Sequence, residues 1–153
     1  MKQKKRNPGI QPLKVIPVVN KNELILLLSR RNIHEIDLRY SDFESADLSE
    51  VNLEQVNLEG VNLSNANLKK ANLRYCNLSK ANLKGAILYR TLLCGANLNG
   101  ADLTEANLSN ADLSQADLRG ALLEGADLTG ANLLGANLTG TDLSLVDLSQ
   151  CIR

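Results

Sequence analysis

The chain has 153 residues, 44% of them apolar but only 3% aromatic, with no tryptophan and one phenylalanine. Seventeen basic residues balance seventeen acidic ones. That composition excludes a conventional aromatic core and an overall polyanion or polycation, and no apolar run approaches the roughly eighteen residues of a membrane span.

Residues 1–19 read as a flexible basic tail carrying Lys2, Lys4, Lys5 and Arg6. Lys14 and Pro17 interrupt its one apolar stretch, so no secretory signal is expected. Residues 20–35 read as a short capping helix and junction. Asn20 or Asn22 can cap its start, and Glu23 suits the positive end of the helix dipole. Arg30 and Arg31 suit the negative end, and Asn32 tolerates a left-handed stop. Leu24, Ile25, Leu27 and Leu28 form one apolar face, suited to plugging whatever core follows.

Residues 36–153 obey a different rule. Leucine occupies every fifth position from Leu38 to Leu148, with Phe43 the single exception. Two residues before each centre sits a small residue, as at Ala66, Ala71, Ala81, Ala96, Ala101 and Ala106. Immediately before the centre stands Asp or Asn, except at Ile87, Leu92 and Leu122. A period of five fits neither the 3.6 of a helix nor the 2.0 of a flat strand. It fits a coil that turns a corner every five residues, with the small and large members facing inward. A lone unit cannot stay folded. One buried leucine contributes roughly 1.5–3 kcal/mol, against about 1–2 kcal/mol of backbone entropy for each of the residues ordered with it. Stability must therefore come from stacking, and the two ends are the weak points.

The unit A-(D/N)-L-x-x, as in Ala101-Asp102-Leu103-Thr104-Glu105, resembles the pentapeptide repeat family. The resemblance implies an all-β fold: a right-handed quadrilateral parallel β-helix with four units per coil and about six coils. Residues twenty apart would then stack, with Gly60, Gly100, Gly120 and Gly140 in one column. At the usual sheet spacing the rod would be ~28 Å long. The apolar helix ahead of the repeats resembles the N-terminal cap of cyanobacterial members of that family.

Charge is banded along the rod. Residues 1–35 carry eight Lys or Arg against Glu23 and Glu35, and residues 36–60 carry seven acids against Arg39. Residues 61–100 have no acid and six bases: Lys69, Lys70, Arg74, Lys80, Lys84 and Arg90. Residues 101–150 reverse this, with eight acids against Arg119.

Catalysis needs converging groups in a water-restricted pocket, and this pattern offers none. His34, the only histidine, lies before the repeats with no nucleophile beside it. Asp127 and Asp147 would stack one coil apart on a flat wall, which reads as two rungs of a ladder. No thiolate or imidazole cluster has metal-ligand spacing and no glycine-rich phosphate loop occurs, so neither metal nor cofactor is expected. Three cysteines cannot all pair. Cys76 and Cys151 take the inward small position and Cys94 an outward one, which suits reduced thiols in a cytoplasmic protein.

What remains is a non-enzymatic scaffold that presents rod faces to a protein partner. Its candidate contact is the place where the surface code breaks. Ile87 and Tyr89 fall on one face, Leu92 and Cys94 on the next, with Arg90 at the corner between them and Lys70 one coil below. The plain alternative is that ladders tolerate occasional apolar members. At the C-terminal end the unfinished unit Cys151-Ile152-Arg153 leaves an open coil edge. An end-to-end homodimer near Leu134, Leu145, Val146 and Ile152 and a frayed monomeric end both fit it. Some relatives confer quinolone resistance, and the resemblance implies that those bind DNA gyrase as acidic mimics of duplex DNA. The basic middle third interrupts the continuous negative surface that mimicry requires. The same six bases spread around the rod instead of lining one face, so direct nucleic-acid binding is not expected.

Overall fold

The computed structural model describes Leu24 and residues 38–153. Of the expected capping helix only Leu24 is described. It is helical and fully buried within the core cluster. The remainder of that segment, His34 and the basic tail lie outside the described residues.

From residue 41 the chain winds in coils of twenty residues: coil 1 (41–60), coil 2 (61–80), coil 3 (81–100), coil 4 (101–120), coil 5 (121–140) and a partial coil from 141 to 153. The register is set by single-residue parallel bridges between positions twenty apart, such as Asp42 to Asn62 and Asn62 to Asn82. Twenty residues at five per unit give four sides. Face A starts at residues 41–44, face B at 46–49, face C at 51–54 and face D at 56–59, each recurring every twenty residues. Residues 45, 50, 55 and 60 head the four corner columns.

Unit 61–65 shows why this sequence closes into a coil. Every backbone N–H in it has a partner, as a buried backbone requires. Val61 donates to Leu58 O across the turn (3.1 Å), and Asn62 donates to Ser41 O in the coil below (2.9 Å). Leu63 and Asn65 donate to Asn82 O and Lys84 O in the coil above (2.7 and 2.9 Å). The Ser64 N–H is left over, and Asn62 Oδ1 accepts it (3.2 Å). Asp or Asn before each centre is thus an Asx turn that satisfies the one amide the ladder cannot reach. The same side chains also bond along the rod, with Asn62 Nδ2 donating to Asp42 Oδ1 (2.8 Å) and Asn82 Nδ2 to Asn62 Oδ1 (3.2 Å).

The fifth residue of every unit from Tyr40 to Gly140 has a positive φ, between 54° and 75°. A left-handed residue at that place is the signature of a type II turn. Twelve of these corners are not glycine, and none of the twelve is aliphatic. At Leu145 and Gln150 the left-handed corner is gone.

The interior is a thin column. Leu48 through Leu118 at the centres, and the alanines from Ala66 to Ala116 two residues before them, are almost wholly buried, while Ala46 is half-buried. Where a polar group takes the small position it donates to the carbonyl of the centre residue 23 positions earlier in the chain. Thr91 Oγ1 reaches Leu68 O (2.8 Å), Thr141 Oγ1 reaches Leu118 O (2.7 Å) and Cys76 Sγ reaches Leu53 O (2.8 Å). Ser41 Oγ stands in the same position in the first coil, buried and without a partner among the described residues.

The upper end is looser. Bridges join Asp117 to Asn137 and Asn132 to Ile152, but none among the described residues joins Leu122 to Asp142 or Asp127 to Asp147. The expected Asp127–Asp147 ladder is therefore not made. The side chains cannot make the rung either: neither carboxylate has an N–H to offer the other, and each spends Oδ1 on its own turn, Asp127 on Thr129 N (2.9 Å) and Asp147 on Ser149 N (2.8 Å). The loss of pairing coincides with the first aliphatic corner, Leu145.

Candidate interaction surface

The corner between faces B and C in coils 2 and 3 brings together the side chains that depart from the repeat. Ile87 is 43% exposed on face B, bridged to Asn67 below and Asn107 above. It has no amide to continue the ladder and no oxygen for the Tyr89 N–H. Leu92 makes the same break on face C, between Asn72 and Asp112, but is half-buried. Cys94, expected outside, is half-buried as well.

Tyr89 is the centre of the cluster. Lys69 Nζ lies 5.7 Å from its ring centroid, and the Arg90 guanidinium carbon lies 5.3 Å from it. Both distances are within cation–π reach. Lys69 was not legible as a member by its neighbours in sequence. Its signal is the twenty-residue spacing that puts it directly beneath Tyr89. Lys70 is at the corner one coil below Arg90, as expected, and pairs with Glu50 at 3.5 Å, an exposed contact. Arg74 follows on face C beneath Cys94. The corner thus combines an apolar residue on each side with a tyrosine and four cations, of which Lys70 alone has a carboxylate partner among the described residues.

The upper end exposes a second set. Leu134, Leu145 and Ile152 are 50%, 73% and 54% exposed, while Val146 is half-buried. Leu138, Leu143 and Leu148 are inward-facing yet only partly covered. Face A has a hollow of about 150 Å³ at the open part of the wall, floored by Ala121 and Leu123 and rimmed by Leu122, Glu124, Asp142 and Leu145.

Three carboxylates are held below their ordinary value of 3.8. Asp117 owes this first to the side-chain hydrogen bonds from Arg119, at 2.9 and 2.7 Å. Asp142 and Asp147 owe it to the backbone N–H groups of Ser144 and Ser149. Burial acts oppositely on the thiols, pushing Cys76 up to about 12 and raising Cys151. No group of three His, Cys, Asp or Glu able to hold a metal ion occurs among the described residues.

The family described as pentapeptide repeats matches residues 52–88, 76–115, 86–125 and 116–152. Among solved structures, the pentapeptide repeat protein Rfr23 from the cyanobacterium Cyanothece 51142 is 37% identical with a TM-score of 0.54. That match covers 71% of this chain and 65% of Rfr23, so this chain spans less than two thirds of that protein. HetL, a pentapeptide repeat protein involved in heterocyst differentiation regulation in Nostoc sp. strain PCC 7120, is 30% identical, with 76% of this chain and 80% of HetL covered and a TM-score of 0.33. The protein alr5209 from Nostoc PCC 7120 is 29% identical, with 90% and 98% covered and a TM-score of 0.41. No match is found among curated proteins.

Proposed function

The chain belongs to the pentapeptide repeat family, and from that premise we propose that it is a non-catalytic scaffold whose B–C corner docks a protein partner. The contact residues are Ile87, Tyr89, Arg90, Leu92 and Lys70, joined by Lys69. The observation that carries this reading is the coincidence of two ladder breaks with one cation-flanked tyrosine. Ile87 and Leu92 interrupt adjacent faces in the same coil, and Tyr89 lies between them beside Lys69 and Arg90. Tyrosine and arginine beside aliphatic groups are the residue types that dominate interface energetics, and here Arg90 is exposed and Tyr89 half-buried. With no acid between residues 61 and 100, the corner suits a partner that offers carboxylates around an apolar centre.

The test is the double variant Ile87→Asn, Leu92→Asn, which restores the family pattern and so keeps the fold. Affinity capture from the native organism with wild-type and variant rods should lose at least one partner in the variant. Identical capture of every partner would refute the corner as the contact. The gyrase-mimic alternative is opposed by the same basic belt. Inhibition of supercoiling by the purified protein would reverse that ranking.

A further inference from the structure

A second site lies on the other half of the rod, where the wall opens between coil 5 and the partial coil above it. Elsewhere on face A, each coil bonds to the next through three backbone contacts per unit, as at Leu103 N to Leu122 O (2.8 Å), Glu105 N to Glu124 O (2.8 Å) and Leu122 N to Ala101 O (2.9 Å). Among the described residues the equivalent bonds from Leu123, Gly125 and Asp142 are not made. Beyond the Thr141 Oγ1 bond to Leu118 O (2.7 Å), the ladder resumes where Gly130 donates to Gln150 O (3.2 Å), Leu133 to Ile152 O (2.7 Å) and Ile152 to Ala131 O (2.9 Å). The opening is the 150 Å³ hollow, a volume that can accommodate a six-carbon ring.

Two apolar side chains flank it with no use inside the rod. Leu122 replaces the Asx residue and is 56% exposed, and Leu145 replaces the left-handed corner and is 73% exposed. The adjoining D–A corner is bare. Gly100, Gly120 and Gly140 stack there, and a Cβ on any of them would meet nothing within 4 Å, so another backbone can come close.

Charge decides what fits. Glu124 and Asp142 rim the hollow, Asp102 and Glu105 lie one coil below, and Asp127 and Asp147 continue on face B. None of the six has an ion-pair partner among the described residues. Arg119, the only base in residues 101–150, is engaged with Asp117 on face D (2.7 Å).

We propose that this hollow is a binding site for an extended, basic segment of a protein partner. The segment seats one aliphatic side chain between Leu122 and Leu145 and places flanking Arg or Lys on Glu124 and Asp142. The site is independent of the B–C corner and opposite to it in charge. The rod therefore has two docking surfaces of different chemistry: one for an acidic partner and one for a basic partner.

Fluorescence anisotropy on the full chain tests this with a labelled nonapeptide of alternating arginine and leucine as the probe. Two twins carry glutamate for arginine or serine for leucine. The probe should bind saturably, and neither twin should. Leu122→Asn restores the Asx turn and so preserves the fold, and it should weaken binding at least tenfold. The double change Glu124→Gln, Asp142→Asn should weaken binding and flatten its salt dependence. Ile87→Asn should leave it unchanged. Absence of binding, equal affinity for Leu122→Asn, or equal affinity of the serine twin would each overturn the proposal, the last by reducing it to non-specific charge attraction.

Discussion

The ring of Tyr75 lies against Gly95, one coil above it on the same corner, so closely that a Cβ at Gly95 would stand 2.6 Å from two ring carbons. Tyr40 covers Gly60 in the same way one corner on. A large corner residue leans up the rod, and the glycine above it supplies both the left-handed backbone and the space. The two glycine roles, conformation and clearance, separate at Gly100, where φ is 65° but nothing lies nearby.

Gly100→Ala should therefore cost only the left-handed penalty, roughly 1–2 kcal/mol. Gly95→Ala should cost roughly 0.5–1.5 kcal/mol more, since the added methyl meets the exposed Tyr75 ring and forces it off its preferred rotamer. Urea denaturation of both variants, repeated with Tyr75→Ala, checks it. The excess should vanish when the ring is removed, and equal costs in the intact background would refute the clearance role.

The interior should be strong in the middle and weak at the top. Leu108 is fully buried, whereas Leu143 is only partly covered. Leu108→Ala should lose about 2–5 kcal/mol and Leu143→Ala clearly less. Similar losses at both sites would mean that the upper coil is as well packed as the middle.

Restoring the repeat should not harm stability. Asn in place of Ile87 could accept the Tyr89 N–H and donate to Asn67, as Asn62 does for Ser64 and Asp42. A gain of up to about 1 kcal/mol is expected. A loss above that size would show that Ile87 serves the fold and would weaken its assignment to a partner.

Acid should loosen the rod. Asp117, Asp142 and Asp147 all have folded pKa values below the ordinary 3.8. A carboxylate lowered on folding contributes stability in full above its unfolded value. That contribution is lost as pH falls through the folded one. The urea midpoint should hold from pH 7 to about 5 and fall below about 4. Asp117→Asn keeps the Asx oxygen but not the charge, so it should lose less than wild type between pH 7 and pH 3. An identical loss would remove Asp117 from the account.

The thiols should react in order of burial. Cys76 is buried with a pKa near 12, so almost no thiolate exists at pH 8. An aromatic disulfide reagent should label half-exposed Cys94 first and Cys76 only on unfolding. Early labelling of Cys76 would place it outside the core.

The interior was fully legible in the sequence, because a side chain that must face inward every fifth residue leaves a pattern that no surface demand overrides. Leu73, Leu108 and Leu133 are all buried on that rule alone. The B–C corner was legible in outline, since Ile87 and Leu92 violate the pattern. Lys69 was missed because membership there depends on the coil below and not on the local unit. The failed pairing of Asp127 with Asp147 was missed for another reason. Twenty-residue spacing puts the two one coil apart only where the coils are bridged, and here the backbone is not bridged while two carboxylates have no donor for a side-chain rung. The opening at face A had a signal that was not used: Leu145 is the first aliphatic residue at a corner that every earlier unit bends left-handed.

The twenty-residue register gives inside and outside different tolerances to changes in length. Removing one unit between Lys69 and Tyr89 leaves every later leucine pointing at the axis but rotates all later surface residues by a quarter turn, so Tyr89 would leave Lys69 and join another column. Removing twenty restores the azimuth and shortens the rod by one storey. Insertions and deletions in this chain should thus be filtered modulo five by folding and modulo twenty by recognition.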